Sequence, residues 1–381
     1  MSKVYVSHNN IISSLGFDSK TVASQIAKGV SGVSLIHDKN IFQTPLYTSL
    51  ISSDELKVAF DKLNPDADYT RLEQILLVSL NAVIKEANIP LNHRVGLIIS
   101  TTKGNIDVLD KRNNFSEKRA YLSGLGKVVK DFFGFKNEAI VISNACVSGL
   151  LAISAAKRFI AFGTYDHVFI TGGDLVSEFI LSGFNSFQAL SEEPCKPYSN
   201  DRTGINIGEV GASVFITSEE TNLSKESVEI LGEASCNDAN HISGPSRTGE
   251  GLYRSVINAI KEAGINKVEI DYISAHGTAT TFNDEMEAIA FNRLNMEGIP
   301  LNSLKGYFGH TLGASGLLET IVGMHSLERN TLFASFGFSE LGVSQAINVI
   351  AETTQKELNT FLKTASGFGG CNTAAIFRKV K

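Results

Sequence analysis

Two kinds of hydrophobic pattern alternate along the chain. Residues 70–88 carry apolar or small side chains at helical spacing, which predicts an amphipathic helix. These positions are Leu72, Ile75, Leu76, Ser79, Val83 and Ala87. Unbroken apolar runs follow at 95–100, 139–142 and 167–171, and such runs are typical of parallel strands that are covered on both faces. Helices that alternate with strands in this way predict an α/β protein with mainly parallel sheets.

The same succession of elements occurs twice. Residues 250–275 predict a second amphipathic helix followed by a strand, about 174 residues after the first such pair. The tetrapeptide Ser-Gly-Leu-Leu at 148–151 recurs at 315–318, which is 167 residues later. A weaker similarity pairs 208–217 with 369–378. Internal similarity of this extent indicates a duplicated structural unit.

We expect the two copies to form two halves, residues 1–222 and residues 223–381, that pack tightly together. The junction is predicted at 218–227, a stretch rich in Ser and Glu. Two ordinary doubly wound domains joined by a linker are the alternative. If the halves are related by a pseudo-twofold axis, equivalent positions of the two copies meet there, and function is expected where the halves meet.

Composition and charge exclude several classes of protein. Of the 381 residues, 43% are hydrophobic and 19% are charged, which is typical of a globular chain and not of a disordered one. The net charge of −6 provides no overall positive field for nucleic acid or anionic lipid. No apolar run is long enough to span a membrane and no signal-peptide pattern is present, so we expect a cytoplasmic protein.

The cysteines point neither to disulfides nor to a metal site. They form no C-x-x-C pair and no cluster with histidine; they are Cys146, Cys195, Cys236 and Cys371. Cys146 differs from the others because it follows a buried strand and a small-residue turn and lies at the predicted start of an apolar helix. Free N–H groups and the macrodipole at a helix start lower a thiol pKa and stabilise an oxyanion, so Cys146 is a candidate nucleophile for acyl transfer. A buried cysteine is more often inert packing, so the hypothesis needs partner groups.

The second half supplies two histidines. His276 directly follows the strand that ends at 275, in a loop that also carries Thr278 and Thr280. His310 lies in the turn of the repeated strand-turn-helix unit, three positions before the counterpart of Cys146. Since equivalent positions meet at the pseudo-twofold axis, the repeat predicts that Cys146 and His310 approach each other. Most histidines have structural roles, but two in matched units favour a catalytic site.

Three further features accompany the histidines. Lys305 and Glu287 are interpreted as groups that support the histidines, although surface positions are the usual place for both residue types. Asn283 or Asp284 is expected to cap the helix that follows the His276 loop. A glycine-rich turn at 367–372 is flexible enough to bring a backbone N–H close to a reacting carbonyl.

In combination these motifs resemble the β-ketoacyl-acyl carrier protein synthases, the decarboxylating condensing enzymes of the thiolase-like superfamily. The motifs are Asn144-Ala145-Cys146, His276-Gly-Thr278-Ala-Thr280 with Glu287, Lys305-x4-His310 and Gly367-Phe368-Gly369-Gly370. Two histidines, in place of one histidine and one asparagine, resemble the elongating type. The resemblance runs from the first strand to the last. It implies a thiolase-like α/β fold, with two pseudo-twofold-related halves in a five-layered αβαβα arrangement.

The resemblance also implies a reaction, the decarboxylative Claisen condensation of malonyl-acyl carrier protein with an acyl chain. Cys146 would carry the acyl chain as a thioester, and its N–H together with that of Phe368 would form the oxyanion hole. His276 and His310 would act as neutral donors to the malonyl thioester oxygen. Lys305 and Glu287 would hold the histidine loops.

Binding roles and partners follow from the same resemblance. Thr278 and Thr280 would bind the phosphopantetheine arm, and Phe368 would gate the acyl pocket. Phe368 and Gly369 would also contact the substrate. No cofactor is expected, because that arm arrives on the acyl carrier protein. The expected assembly is a homodimer, or a heterodimer with a related synthase-like subunit, without nucleic acid or membrane. A basic cluster is predicted around the pocket mouth, where it would contact the acidic carrier protein.

Two departures from the family pattern bear on the substrate. The turn at 101–104 reads Thr-Thr-Lys-Gly where the family has a glycine-rich turn, and Ser366 stands where an aromatic residue is common. They indicate a specialised pathway, such as one for a polyene or a pigment, as readily as fatty-acid synthesis. Two alternatives stay open: a catalytic subunit that needs a chain-length-factor-like partner, and a thiolase-type acyltransferase in which Cys371 is the second cysteine.

Overall fold

The structure is a computed structural model and describes residues 3–238, 240–242 and 244–380. The strands are β1 Tyr5–Ile12, β2 Ser34–Ile36, β3 Leu46–Ser49, β4 Val95–Ser100, β5 Ile140–Ile142, β6 His167–Asp174, β7 Ile207–Gly208, β8 Val210–Thr217, β9 Val228–Asn237, β10 Tyr272–Ser274, β11 Leu301–Asn302, β12 Thr331–Leu332, β13 Thr354–Gln355, β14 Thr360–Gly367 and β15 Cys371–Lys379. The helices are α1 Ser19–Ala27, α2 Ser53–Asp61, α3 Arg71–Ala87, α4 Leu122–Phe133, α5 Ser148–Ala161, α6 Glu178–Ser186, α7 Glu250–Ala263, α8 Thr281–Arg293, α9 Lys305–Phe308 and α10 Ser315–Arg329.

The main sheet has the same strand order on both sides of its centre. Its order is β11-β10-β14-β15-β9-β1-β8-β6-β4-β5. Outward from the central β9–β1 pair, the first half runs β1, β8, β6, β4, β5 and the second half runs β9, β15, β14, β10, β11. Each strand of the first half therefore has a counterpart at the same place in the second half, and the predicted pseudo-twofold relation between the halves is confirmed. The exact boundary at 222/223, between β8 and β9, stays a prediction.

The sheet is mixed, so the expectation of mainly parallel sheets was wrong in this respect. Each half is parallel only among its outer strands, β4 with β5 and β6, and β10 with β11 and β14. The remaining pairs, including β6–β8 and β14–β15, are antiparallel. The β14–β15 connection shows the reason: it is a tight turn through Gly369 and Gly370, with φ of 85° and 77°, and a parallel connection needs a dozen or more residues.

The two halves of the main sheet form the two β layers, and helices complete the five-layered αβαβα arrangement. α5 and α10 pack against each other in the middle layer, while α3 covers the outer face of the first half and α7 that of the second. Residues 315–327 of α10 are all buried, as expected for a helix that is enclosed on every side. Among the described residues, no helix has both the length and the apolar character to cross a membrane.

The two halves are in close contact where the repeated tetrapeptides begin α5 and α10. A Cβ atom added to Gly149 would lie 2.7 Å from the Leu317 nitrogen, and one added to Gly316 would lie 2.7 Å from the Leu150 nitrogen. Neither glycine has room for a side chain, because the opposing atoms belong to backbone. The duplicated sequence thus forms the contact that brings the two helix starts, and the turns before them, together.

Candidate active site

The turn that carries Cys146 connects β5 to α5. Ala145 adopts a left-handed conformation with φ of 44°, which is unusual for a residue with a Cβ atom. The Ser148 hydroxyl stabilises the turn because it accepts a hydrogen bond from the Asn144 N–H at 2.8 Å and donates one to the Ala145 carbonyl at 2.7 Å. Cys146 lies two residues before the first helical residue, so it precedes the helix and does not begin it.

Cys146, His276 and His310 line one cavity of about 550 Å³. The two imidazole rings are nearly perpendicular, with their centroids 5.3 Å apart. The cavity wall also contains Thr278, Thr280, Asn283, Ser366, Phe368 and Asn372. The structure therefore brings the thiol of the first half and both imidazoles of the second half to one space, as the repeat predicts.

Burial raises the pKa of the Cys146 thiol, whereas a position at a helix start was expected to lower it. The thiol is 8% exposed, and burial raises its pKa to about 12, although Lys305 opposes the increase. The expectation of a lowered pKa was wrong because the cysteine lies outside the helix and loses its contact with water, which stabilises a thiolate. The resting thiol is protonated at neutral pH, so acyl transfer to it requires a proton acceptor.

Two buried carboxylates of α8 accept hydrogen bonds from the backbone of the His276 loop. Glu287 accepts hydrogen bonds from the backbone N–H groups of His276 and Gly277 at 2.8 and 2.7 Å, and from the Tyr198 hydroxyl at 2.9 Å. Asp284 accepts the Thr278 N–H at 2.9 Å, and burial raises the pKa of its carboxyl to about 6. These contacts fix the loop backbone and leave the His276 ring at the cavity.

The expected helix cap is different in the structure. α8 has Thr280 at its N-cap, and its first helical residue is Thr281. The expectation that Asn283 or Asp284 caps this helix was wrong, since both lie in its first turn. The carboxylate of Asp284 accepts a hydrogen bond from the loop instead. The Asn283 amide donates to Glu287 of the same helix at 3.0 Å.

His310 is oriented by its own turn. Its Nδ1 atom accepts a hydrogen bond from the Leu312 N–H at 3.1 Å, so the neutral ring carries its proton on Nε2. Its backbone is held by the first half, because its N–H donates to the Asn206 carbonyl at 2.6 Å. Leu312, at the position equivalent to Ala145, has φ of 51°, so the second turn repeats the backbone of the first.

Both histidines are neutral at pH 7. Burial, together with Lys305 and Lys363, holds the pKa of each ring well below its usual value, and His310 contributes to the decrease at His276. The Nδ1 atom of His276 is buried and has no hydrogen-bond partner among the described residues. A buried polar atom without a hydrogen-bond partner costs folding free energy. Because this atom lies at a cavity, a bound substrate can provide the missing hydrogen bond.

Three buried charges lie behind the histidines. Lys305 donates to the His276 carbonyl and to Glu319, the latter at 2.8 Å, and Lys363 contacts the other Glu319 oxygen at 2.6 Å. Sequence reasoning identified Lys305 but missed Glu319 and Lys363. The signal was available, because each is a charged residue within an otherwise apolar segment, and such residues are seldom fully buried unless they are paired.

The glycine-rich turn at 367–372 contacts the turn that carries Cys146. A Cβ atom added to Gly367 would lie 3.0 Å from both the Cys146 nitrogen and the Cys371 sulfur. The Phe368 ring, 39% exposed, packs against the rings of Phe184 and Phe187 at centroid distances of 5.6 and 5.3 Å. Lys305, Glu287 and Gly369 are not part of the cavity wall. The Gly369 N–H donates to the Ile242 carbonyl at 2.7 Å.

The unusual turn at 101–104 is tied to both halves by Asp174, a residue that sequence reasoning missed. This buried carboxylate accepts the N–H groups of Thr102 and Lys103, the Thr101 hydroxyl and, from the second half, the Gly313 N–H at 2.8 Å. Threonine hydroxyls and backbone N–H groups together satisfy the carboxylate. The turn thereby becomes part of the contact between the two helix starts.

The mouth of the cavity is apolar and aromatic. None of the described residues that line it is Lys or Arg, and its exposed side chains include Phe187, Ile242 and Phe282. The predicted basic cluster is thus not part of the cavity wall, and its presence further out stays a prediction. The described part of the chain contains no group of three or more His, Cys, Asp or Glu that could hold a metal ion.

Comparisons with known proteins agree with this geometry. The sequence families described as "Beta-ketoacyl synthase, N-terminal domain" and "Beta-ketoacyl synthase, C-terminal domain" match residues 12–222 and 228–339. A relative named 3-oxoacyl-[acyl-carrier-protein] synthase 2, from Rhizobium meliloti, is 35% identical over 260 residues, which cover 64% of this chain and 61% of the relative. One named 3-oxoacyl-[acyl-carrier-protein] synthase 1, from Buchnera aphidicola, is 29% identical over an alignment of 414 residues that covers both chains fully.

A solved structure has the same fold over the whole chain. It is the ketosynthase ApeO in complex with its chain length factor ApeC, from Xenorhabdus doucetiae. The similarity has a TM-score of 0.88 at 26% identity and covers 100% of this chain and 98% of that one. The likeness therefore extends across both halves and the cavity between them.

Proposed function

Since this chain belongs to the beta-ketoacyl synthase family, we propose that it catalyses the decarboxylative condensation of malonyl-acyl carrier protein with an acyl chain held on Cys146. The observation that carries the proposal is the shared cavity of Cys146, His276 and His310. A thiol provides the covalent attachment, and two neutral imidazoles provide the donors that a developing enolate requires.

In the first step the acyl group moves from the carrier protein to Cys146. The sulfur attacks the carrier thioester, and its proton passes through one of the cavity imidazoles to the departing carrier thiol. The raised pKa of the thiol makes this transfer necessary, because a protonated thiol is a weak nucleophile. The backbone N–H groups of Cys146 and Phe368 are the proposed oxyanion hole, which the close contact of Gly367 with the Cys146 nitrogen supports.

In the second step malonyl-acyl carrier protein loses CO2. The carbon–carbon bond to the carboxylate breaks, and its electron pair forms an enolate whose oxygen accepts hydrogen bonds from His276 and His310. The enolate carbon attacks the acyl thioester, and Cys146 leaves as a thiolate that takes up a proton. The proton on Nε2 of His310, which the Leu312 hydrogen bond indicates, is suited to this role.

The other predicted roles are consistent with the contacts. Glu287 holds the backbone of His276, and Lys305 donates to the carbonyl of the same residue. Thr278 and Thr280 line the cavity with their hydroxyl oxygens 2.8 Å apart, so they are the proposed contacts for the phosphopantetheine arm. That arm arrives on the carrier protein, and the chain needs no cofactor of its own.

The partner in the assembly is proposed from the relatives. The similar ketosynthase ApeO is in complex with a chain length factor, so a heterodimer with a synthase-like subunit stands beside the homodimer. Because this chain retains Cys146, we assign it the catalytic role in either assembly. Measurement of the mass of the native complex, with and without candidate partner subunits, distinguishes the two.

Reconstitution tests the proposed function. The chain is incubated with acyl-loaded carrier protein, and the intact mass should increase by one acyl group on Cys146 but not on Cys146→Ala. Addition of malonyl-acyl carrier protein should then yield equal amounts of CO2 and β-ketoacyl-carrier product. Acyl loading followed by thiol exchange without CO2 would favour the thiolase-type acyltransferase. Absence of loading, with and without a partner subunit, would contradict the proposal.

A further inference from the structure

Lys363 is a buried lysine outside the cavity wall, with no role in the steps above. It lies in β14 and is 0% exposed, and its partners Glu319 and Lys305 are 2% and 1% exposed. Burial lowers the pKa of Lys363, and the nearby Glu319 opposes this decrease. A charged group is buried at such cost only where it is paired, and here two lysines share one glutamate.

The two ammonium groups hold the backbone that leads to His276. Lys363 donates to the carbonyls of Ser274 and Ala275 at 3.0 and 3.1 Å, and Lys305 donates to the carbonyl of His276 itself. Three consecutive carbonyls therefore face two cations. On the other side of the same loop, the N–H groups of His276 and Gly277 face the carboxylate of Glu287.

The buried charges around the histidines balance only if Lys363 is included. α10 contributes Glu319, α8 contributes Glu287, and α9 contributes Lys305. Asp284 of α8 has its own cation, Arg202, at 3.6 Å. Other titratable groups near the rings are neutral or satisfied by hydrogen bonds: Cys146, Tyr198, Asp174 at the Gly313 turn and Asp238 of the cavity wall. His241 also lines the cavity. Both lysines contact Glu319. Glu287 accepts hydrogen bonds from Tyr198, His276, Gly277 and Asn283, and it acts on Lys363 through its charge without an ion-pair contact.

We propose that Lys363 is a positioning residue of the active site: it holds the backbone before His276 and, with Lys305, offsets the charges of Glu319 and Glu287, so that His276 and His310 remain neutral hydrogen-bond donors at acidic pH. Its catalytic meaning rests on the proposed function, whereas the charge balance itself does not. The charge of Lys363 opposes protonation of both imidazoles. Lys363 also fixes the backbone before His276 through its hydrogen bonds to the carbonyls of Ser274 and Ala275.

The charge balance is tested by NMR titration of the histidine rings in the intact chain. Lys363→Met should raise the pKa of His276 and His310 by about 1 unit or more, because a charge is removed within the buried site. Glu319→Gln should shift them in the opposite direction. The double variant, which again has one lysine and one carboxylate, should return both rings towards the wild-type values. His276→Ala and His310→Ala assign the signals.

Lys157→Met is the matched control. Lys157 is also a buried lysine, and it pairs with Glu262 at 2.9 Å. It lies on α5 and not on β14. It should leave both imidazole pKa values unchanged. The rate of malonyl-acyl carrier protein decarboxylation, measured between pH 5 and 8, should show its acidic limb at higher pH in Lys363→Met only. This second readout connects the charge balance to the reaction.

The outcomes separate the two proposals. Folded Lys363→Met with wild-type imidazole pKa values overturns the inference, even if activity falls, because Lys363 would then act only in folding. If Lys363→Met does not fold, an unchanged titration in Glu319→Gln overturns the inference equally. A chain that shows the predicted shifts but does not condense acyl groups supports the charge balance and contradicts the proposed function.

Discussion

In the first half of the molecule the turn after β5 places Ala145 at φ of 44° and leads into α5, and in the second half Leu312 at φ of 51° precedes α10 in the same way. The backbones of the two turns correspond, but their side chains do not. The first turn presents a thiol, whereas in the second the position of Cys146 is taken by Gly313 and the functional side chain is His310. The duplicated unit thus supplies the shape of both turns, and the reactive groups differ.

The two halves also differ in how the buried carboxylates near the cavity are stabilised. In the first half the buried carboxylate Asp174 is satisfied by N–H groups and hydroxyls. In the second half Glu319 pairs with both Lys305 and Lys363. Hydrogen bonds suffice where the residue only holds a turn. Ion pairs of buried carboxylates occur in both halves, since Glu73 pairs with Arg119 and Glu209 with Arg71, but the ion pairs behind the imidazoles belong to the second half.

The largest expected effect separates the tasks of the two halves. Cys146→Ala should abolish acyl loading but retain malonyl-acyl carrier protein decarboxylation, because both imidazoles are intact. His276→Ala should do the reverse, with decarboxylation reduced by about 10²–10³-fold, as for the loss of one donor to a developing oxyanion. Intact mass and CO2 release measure the two tasks. Parallel loss of both in each variant would show that the halves do not divide the reaction in this way.

Removal of the close contact between the halves should destabilise the whole fold. Gly149→Ala places a Cβ atom 2.7 Å from the Leu317 nitrogen and should lower the free energy of unfolding by about 1–3 kcal/mol, as overpacking does. Gly183→Ala is the control, because nothing lies within 4 Å of its added Cβ atom. Denaturant unfolding measures both. Equal stability of the two variants would mean that the helix starts are not in close contact.

The pH dependence tests the neutral histidines of the second half. In the unfolded chain a histidine binds its proton near pH 6.5, and in the folded chain both rings do so only at much lower pH. The unfolded state therefore binds more protons as the pH falls below about 6.5, and stability should decrease there. Decarboxylation should persist through pH 6.5. An acidic limb at or above pH 6.5 would contradict neutral imidazoles of lowered pKa.

A smaller effect is expected at the thiol of the first half. Since burial raises the pKa of Cys146 to about 12, its alkylation by iodoacetamide should become steadily faster from pH 7 to pH 9.5. Peptide mapping distinguishes it from Cys195, Cys236 and Cys371, and Cys146→Ala provides the blank. A rate that already levels off below pH 7 would indicate a thiolate stabilised by the helix start, as the sequence alone predicts.

Sequence and structure agree where a pattern is repeated. The tetrapeptides at 148–151 and 315–318 identify the helix starts that touch, and from them the approach of Cys146 and His310 follows. Patterns of single residues were less informative. The direction of β15 depends on the turn before it, and the pKa of Cys146 depends on burial, which the sequence does not give.

The pairing of the buried charges could not be predicted from the sequence either. Lys363 and Glu319 are separated by 44 positions in the chain, and only the packing of β14 against α10 brings them together. Asp174 lies at the end of an apolar strand, where its partners come from a distant turn and from the second half. A charged residue in an apolar segment signals a buried pair, but the sequence does not say with which group it pairs.

The central claim is that a thiol of the first half and imidazoles of the second half share one cavity, and a bifunctional reagent tests it most directly. 1,3-Dibromoacetone first alkylates a cysteine and then a nucleophile within a few ångströms. Peptide mapping should identify Cys146 joined to His276 or His310, and the link should be absent from Cys146→Ala. Alkylation of Cys146 without a link to either histidine would show that the two halves do not bring these groups together.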